Sequence, residues 1–278
     1  MTAGLLALVL GAALLHAVWN ALVKLSSERA SVFGLLSLGH VALGVALAAA
    51  SPLPAPQSWP YLAASTLIHF GYYALLNLSY RLGDLSLVYP VARGIAPVLV
   101  ALGATMGAGE VLAVPVWAGI VAVSAGVVAL SGGLRRGALR GRAVLPALLT
   151  GLTIAAYSLV DGLGVRLSGA PAGYIGWLFI LEIFVTVFVF SSGGRRLWTT
   201  SPRTLVTGLA GGLISATAYG MVIWAKALAP LGMVSALRET SVLFAALIGV
   251  TFLRERPWRR RIRAAVVVAL GVALITLA

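Results

Sequence analysis

Residues 73–110 read YALLNLSYRLGDLSLVYPVARGIAPVLVALGATMGAGE, and residues 219–255 read YGMVIWAKALAPLGMVSALRETSVLFAALIGVTFLRE. Sliding the chain by 145 positions sets Arg93 on Arg238, Leu102 on Leu247 and Glu110 on Glu255. Beyond the stretch it sets Val121 on Val266, Val123 on Val268, Gly126 on Gly271 and Val127 on Val272. A one-residue gap before Arg93 then aligns Tyr73 with Tyr219. Self-similarity at about half the chain length marks an internal duplication. Each copy puts an arginine inside an apolar run, an arrangement costly enough in hydrocarbon to need a reason.

The surroundings of this stretch say what the solvent is. The chain has 278 residues, 60% hydrophobic and 10% charged, with a mean hydropathy of +1.03. A soluble core of that size could not hide so much apolar surface, so the expected solvent is lipid. The net charge of +13 would suggest nucleic acid in a soluble protein. Here the basic residues sit in short clusters between apolar runs of spanning length, so they read as topology signals and nucleic acid is excluded as a partner. The chain has no cysteine, which excludes disulfides, Cys-ligated zinc and iron–sulfur clusters. No basic segment precedes the first apolar run, so Thr2–Val23 reads as a first helix instead of a cleaved leader.

Apolar segments of bilayer length can be laid out ten times: 2–23, 30–50, 59–80, 85–106, 111–130, 144–165, 172–191, 203–225, 231–253 and 262–277. Ten spans and one duplication give five spans per copy, and an odd number makes the second copy enter the membrane the opposite way round. The expected architecture is therefore an all-α integral membrane protein of ten transmembrane helices in two inverted five-helix repeats. The first repeat is 1–131, the basic linker 132–143 and the second repeat 144–278. Lysines and arginines crowd alternate loops, with Lys24, Arg29, Arg81, Arg135, Arg195 and Arg254 among them, while Arg166 and Lys226 fall on the other side. By the positive-inside rule the crowded side is cytoplasmic and both termini lie outside. Spans five and ten carry almost nothing polar in their middles, which suits lipid or a partner subunit.

Five acidic or basic side chains fall well inside the spans, away from their ends: Arg93, Asp161, Glu182, Arg238 and Glu239. At about 2.5 to 3.5 kcal/mol each at a helix centre, they must pair or face a wet cavity. Counted at about 1.5 Å per residue, Arg93, Glu182, His40 and His69 lie near the midplane, with Arg238 and Asp161 somewhat toward the outside. Asp161 and Glu182 are candidates for a coupling group or an ion pair. The first helix carries His16, Trp19, Asn20 and Lys24 on one face, and the third carries His69, Tyr72, Tyr73, Asn77 and Tyr80. Tyr89 precedes Arg93 by one turn and Tyr157 precedes Asp161, while Ser215 precedes Tyr219. Aromatic faces with a few hydrogen-bonding tips suit small organic solutes, aromatic or cationic ones especially. Packing between helices, or an interfacial belt for Trp59, Trp198 and Trp258, is the structural alternative.

Pro90 and Pro97 each remove a backbone hydrogen bond beside Arg93 and could break or kink that helix. The Gly-x-x-x-Gly spacings Gly103 to Gly107 and Gly208 to Gly212 mark close helix approach. His16, His40 and His69 fall at similar depth, which opens a second reading as a metal- or haem-handling membrane protein. Signatures of the common enzyme classes are absent, and no enzyme activity or cofactor is expected.

At these residues the chain resembles the drug/metabolite transporter superfamily, in its ten-helix EamA-type branch. Residues 16–24, HAVWNALVK, are similar to that family's opening motif, and 73–110 and 219–255 to its helix-loop-helix core ending in an acidic residue. The resemblance implies an inner-membrane secondary carrier, commonly an exporter of amino acids, other metabolites or drugs, with a central cavity. It implies that helices one, three, four, six, eight and nine line that cavity, and on these lie the candidate substrate-binding residues His16, Trp19, Asn20, His69, Tyr73, Asn77, Tyr89, Arg93, Tyr157, Tyr219, Arg238 and Glu239. Two features depart from it. Small multidrug members use a glutamate in their first helix, which this chain lacks, and ten-helix relatives commonly keep their termini in the cytoplasm. The expected function is alternating-access transport of a small organic solute across the bilayer, with the proton as candidate coupling ion. Substrate, coupling and oligomeric state stay open.

Overall fold

In hydrocarbon a backbone must satisfy its own N–H and C=O groups, so a chain this apolar is expected to be helical throughout. The computed structural model describes residues 1–25, 29–82, 85–130, 142–192, 200–251 and 258–278. Among these residues the chain forms α1 (Ala3–Leu25), α2 (Arg29–Ala49), a 3₁₀ turn at Pro56–Ser58, α3 (Trp59–Leu82), α4 (Leu85–Gly107) and α5 (Val114–Leu130). The second half holds α6 (Val144–Leu167), α7 (Pro171–Leu181), α8 (Ile183–Ser192), α9 (Pro202–Leu228), α10 (Leu231–Arg238), α11 (Ser241–Thr251) and α12 (Trp258–Leu277). The described residues hold no strand. Six segments are long and apolar enough to cross a membrane: Ala3–Val23, Val88–Gly107, Val144–Leu167, Pro171–Phe188, Pro202–Leu228 and Leu231–Ile248. Gly34–Ala49, Val114–Leu130 and Ile262–Leu277 are apolar but shorter.

Local chemistry explains several ends. Pro171 and Pro202 sit in the first turns of α7 and α9, where a missing N–H costs nothing. Ser201 caps α9 by accepting from the Thr204 N–H at 3.2 Å. Gly169, with φ at 60°, turns the chain out of α6 in a conformation few other residues adopt.

Two segments expected to be continuous are interrupted, and the helix whose prolines could break or kink it is unbroken. α4 runs through both Pro90 and Pro97. The segment 172–191 instead divides at Glu182, and 231–253 divides at Glu239 and Thr240. Around each interruption i→i−3 bonds appear in the ladder: Glu182 N–H to the Phe179 carbonyl at 3.2 Å, Glu239 N–H to Ala236 at 3.0 Å and Thr240 N–H to Leu237 at 3.1 Å. Such a tightened turn inside a long helix is a recurring site of strain or hinge motion. In both places the residue at the interruption is a glutamate with a partner on another helix.

The halves pack across each other. α6 lies against α3 and α4, and α1 lies against α9 and the α10–α11 pair. α2 lies against α7 and α9, where Gly39 and Gly212 meet so closely that a Cβ on Gly39 would stand 2.7 Å from the Gly212 Cα. Gly208 belongs to the same seam through Leu35. Gly103 meets Leu159, while the space at Gly107 is open, so the first Gly-x-x-x-Gly spacing makes only half the expected contact.

α5 and α12 form the tightest pairing. Gly126 packs on Val268 and the Ala264 carbonyl, and Gly271 packs on Val123 and the Gly119 carbonyl. Rising numbers on one helix meet falling numbers on the other, so the two run antiparallel. Adding 145 to Gly126 and subtracting it from Val268 turns the first contact into the second. These helices were expected to give their smooth faces to lipid or a partner subunit. One face of each is instead buried against the other, because glycines let the backbones approach. The remaining faces, with Val121, Val266 and Leu270, are exposed.

Candidate functional site

The polar side chains collect inside the bundle. Arg93 projects from α4 onto Glu239, at the end of α10. Its Nε donates to Oε2 at 3.2 Å and its Nη2 stands 2.9 Å from Oε1, with both side chains almost fully buried. A guanidinium fork on a carboxylate is the arrangement that best offsets two desolvated charges. Pro97 lacks an N–H, so the Arg93 carbonyl loses its helical partner beside this pair. Tyr89, one turn earlier, lies under the guanidinium with its ring centre at 6.0 Å.

α1 supplies His16, whose Nε2 is 3.5 Å from the Tyr89 hydroxyl. The Trp19 indole N–H donates to His16 Nδ1 at 3.2 Å, and the Asn20 amide donates to the His16 carbonyl at 2.7 Å. The stripe seen in the sequence is thus a wired unit, in which Asn20 is turned back on its own helix.

A second group is aromatic. His69 of α3 stacks on Tyr157 of α6 with ring centres 4.3 Å apart, and its Nδ1 is 2.8 Å from the Ser65 carbonyl. Tyr72 and Tyr219 meet Tyr157 edge-on at 5.8 and 6.1 Å, and Tyr73 touches Tyr72 at 5.2 Å. The Tyr219 hydroxyl donates to an Asp161 carboxylate oxygen. Arg238 lies over the Tyr219 ring, 5.2 Å from its centre. Asn77 lies in α3, but its side chain is outside the described residues, as are Trp198 and the Trp258 side chain. Trp59 packs on Trp177 and donates to the Pro54 carbonyl at 3.2 Å, at the start of α3.

A third group forms where α7 passes into α8. The Glu182 carboxylate is 3.0 Å from His40 Nδ1 on α2. Glu182, His69 and Thr66 line a cleft of about 10 Å³ together with Leu178, Leu181 and Val185. That is room for about one water. His16, His40 and His69 therefore have separate partners, and no three metal-ligating side chains gather among the described residues. A site built on all three histidines together is not what the packing makes.

Lys226 corrects the sequence reading most. Expected in an outer loop, it belongs to α9, is fully buried, and donates from Nζ to the Ser158 carbonyl at 2.9 Å. The inventory held a signal for it. Two arginines against three carboxylates left one negative charge over, and Lys226 supplies the missing cation. His40 as partner of Glu182 was likewise unassigned, although its depth matched.

At the end of the bundle where α6 and α9 finish and α10 begins, Glu110 and Arg166 tie three helices. Arg166 donates to Glu110 at 2.8 Å and to the carbonyls of Lys226 and Ala229 at 2.9 and 2.8 Å. Both Glu110 carboxylate oxygens accept from the Leu231 N–H at the start of α10. A carboxylate there meets the positive end of the helix dipole.

No protein-family model and no curated protein matches this chain. A protein of known crystal structure is similar to it at 18% identity, over 100% of this chain and 98% of the other, with a TM-score of 0.75. The likeness shows the fold. It extends from end to end, so the whole arrangement of helices, and not one half of it, is shared with a solved protein.

Proposed function

We propose that this chain is a secondary carrier of the ten-helix drug/metabolite type, moving a small organic solute across the inner membrane by alternating access. On this reading α7–α8 and α10–α11 each cross the bilayer as one interrupted span, giving ten crossings. Residues 1–131 and 144–278 are two five-helix repeats of opposite insertion, joined by the linker 132–143, which lies largely outside the described residues. The antiparallel α5–α12 contact supports the repeat, since its exchange rule carries the same offset as the sequence duplication.

The observation that carries the reading is the band of charge and aromatic rings between helices of both halves. Arg93–Glu239, Arg238 over Tyr219, and Glu182–His40 would be expensive ornaments in a bundle with no work for them. All three sit at interrupted helices, the usual sites of substrate contact and movement in carriers built from repeats. Separate partners for His16, His40 and His69 favour a carrier over a metal- or haem-handling protein. Rocking of one half against the other would open the band to either side.

The test is uptake into vesicles holding the purified protein, screened over amino acids, organic acids and aromatic cations with and without a pH gradient. Protein-dependent flux that saturates with substrate is expected, and Arg93→Gln should abolish it. No flux of any class above empty vesicles would end the proposal. A reporter fused to the C-terminus would separately test the outward orientation that the basic loops imply.

A further inference from the structure

The two repeats carry the same arginine but not the same partner. Arg93 is neutralised by Glu239 on the antiparallel neighbour. Exchanging the halves through the 145-residue offset turns that pair into Arg238 facing position 94, which is a glycine. Nor could a longer side chain stand there. A Cβ on Gly94 would meet Val128 Cγ2 at 2.5 Å and the Ser124 carbonyl at 3.1 Å, where α4 closes on α5.

Arg238 is accordingly left over. Among the described residues no carboxylate lies within ion-pair distance of it, for Glu239 is turned to Arg93 and Glu182 to His40. Asp161 takes the hydroxyl of Tyr219, whose ring Arg238 covers. Unlike Arg93, Arg238 is only half-buried.

We infer that Arg238 is the anchor for a single carboxylate on the transported solute, and that the Tyr219–Tyr157–Tyr72 ring cluster beside it receives an aromatic body. One unpaired planar fork matches one carboxylate in charge and in geometry, whereas a phosphate dianion would call for a second free cation. The rings pack edge-on against one another, with His69 stacked 4.3 Å from Tyr157, and parting of the two halves would offer their edges and faces to a flat apolar group. The solute is thus an aromatic monocarboxylate. Its negative charge replaces, during transport, the carboxylate that the second repeat lacks. This deepens the carrier reading, and it fixes which half holds the anionic end of the solute.

The experiment is equilibrium binding to protein in lipid nanodiscs, read by tryptophan emission, with hippurate and its uncharged amide as probes. Hippurate should bind about tenfold or more tightly than the amide. In Arg238→Gln the preference should vanish while amide binding and thermal unfolding stay as in the parent, and Arg238→Lys should restore part of it. Equal binding of the two probes by the parent protein, or a preference that survives in Arg238→Gln, would overturn the anchor. Competition by inorganic phosphate as strong as by hippurate would overturn the carboxylate assignment. A charge preference without any flux in the vesicle screen would leave the anchor standing and sink the carrier. Flux with no charge preference would do the reverse.

Discussion

α4 and the α10–α11 pair are copies of one stretch, and they treat it in opposite ways. α4 holds two prolines and stays unbroken, and its arginine is buried in a two-point contact with Glu239. The α10–α11 pair has no proline, is interrupted directly after its arginine, and leaves that arginine half-buried without a carboxylate. A proline removes one N–H, and a well-packed helix can absorb that loss. A glutamate that must reach a partner on another helix constrains its own backbone, and both interruptions occur at such a glutamate. Helix breaks here follow the charge partners, not the prolines.

That contrast can be broken by substitution. The largest effect belongs to the Arg93–Glu239 pair. Either Arg93→Gln or Glu239→Gln strands a desolvated charge and should lower stability by about 3–5 kcal/mol, while the double substitution should cost clearly less than the sum. Thermal unfolding in detergent checks this, and additive losses would mean that the two do not act as a pair.

Next comes Gly94→Ala. Its Cβ would press on Val128 and on the backbone at Ser124, so an overpacking loss of about 1–3 kcal/mol is expected. A neutral outcome would show that α4 and α5 can part, and that space for a carboxylate opposite Arg238 exists after all.

Glu110→Gln should remove about 1 kcal/mol, since the Arg166 side of the pair is partly exposed and the amide keeps one acceptor for Leu231. Raising salt should shrink that difference, and a salt-independent loss would count against an electrostatic origin.

The smallest effect is expected at the second arginine, which the sequence made look as much in need of a partner as the first. Arg238→Gln strands no counter-charge, so its stability loss should stay under about 1 kcal/mol. A loss as large as that of Arg93→Gln would erase the contrast between the copies.

The sequence by itself determined that the chain is helical, that its helices suit lipid, and that Arg93 and Arg238 occupy matching places in a duplicated stretch. Those properties are one-dimensional. Hydropathy over a bilayer's thickness and self-similarity at a fixed offset need no neighbour to be recognised. Helix ends were legible to a few residues for the same reason, as 144–165 against Val144–Leu167 illustrates. The tertiary structure alone decided that Lys226 is buried against Ser158, that Glu182 turns to His40, and that Glu239 makes its direct contact with Arg93 and not with Arg238. A charge's partner lies dozens of residues away and is selected by which helices cross and how closely their glycines let them approach. Position along the chain sets the depth of a group in the membrane, but only packing sets the direction it faces.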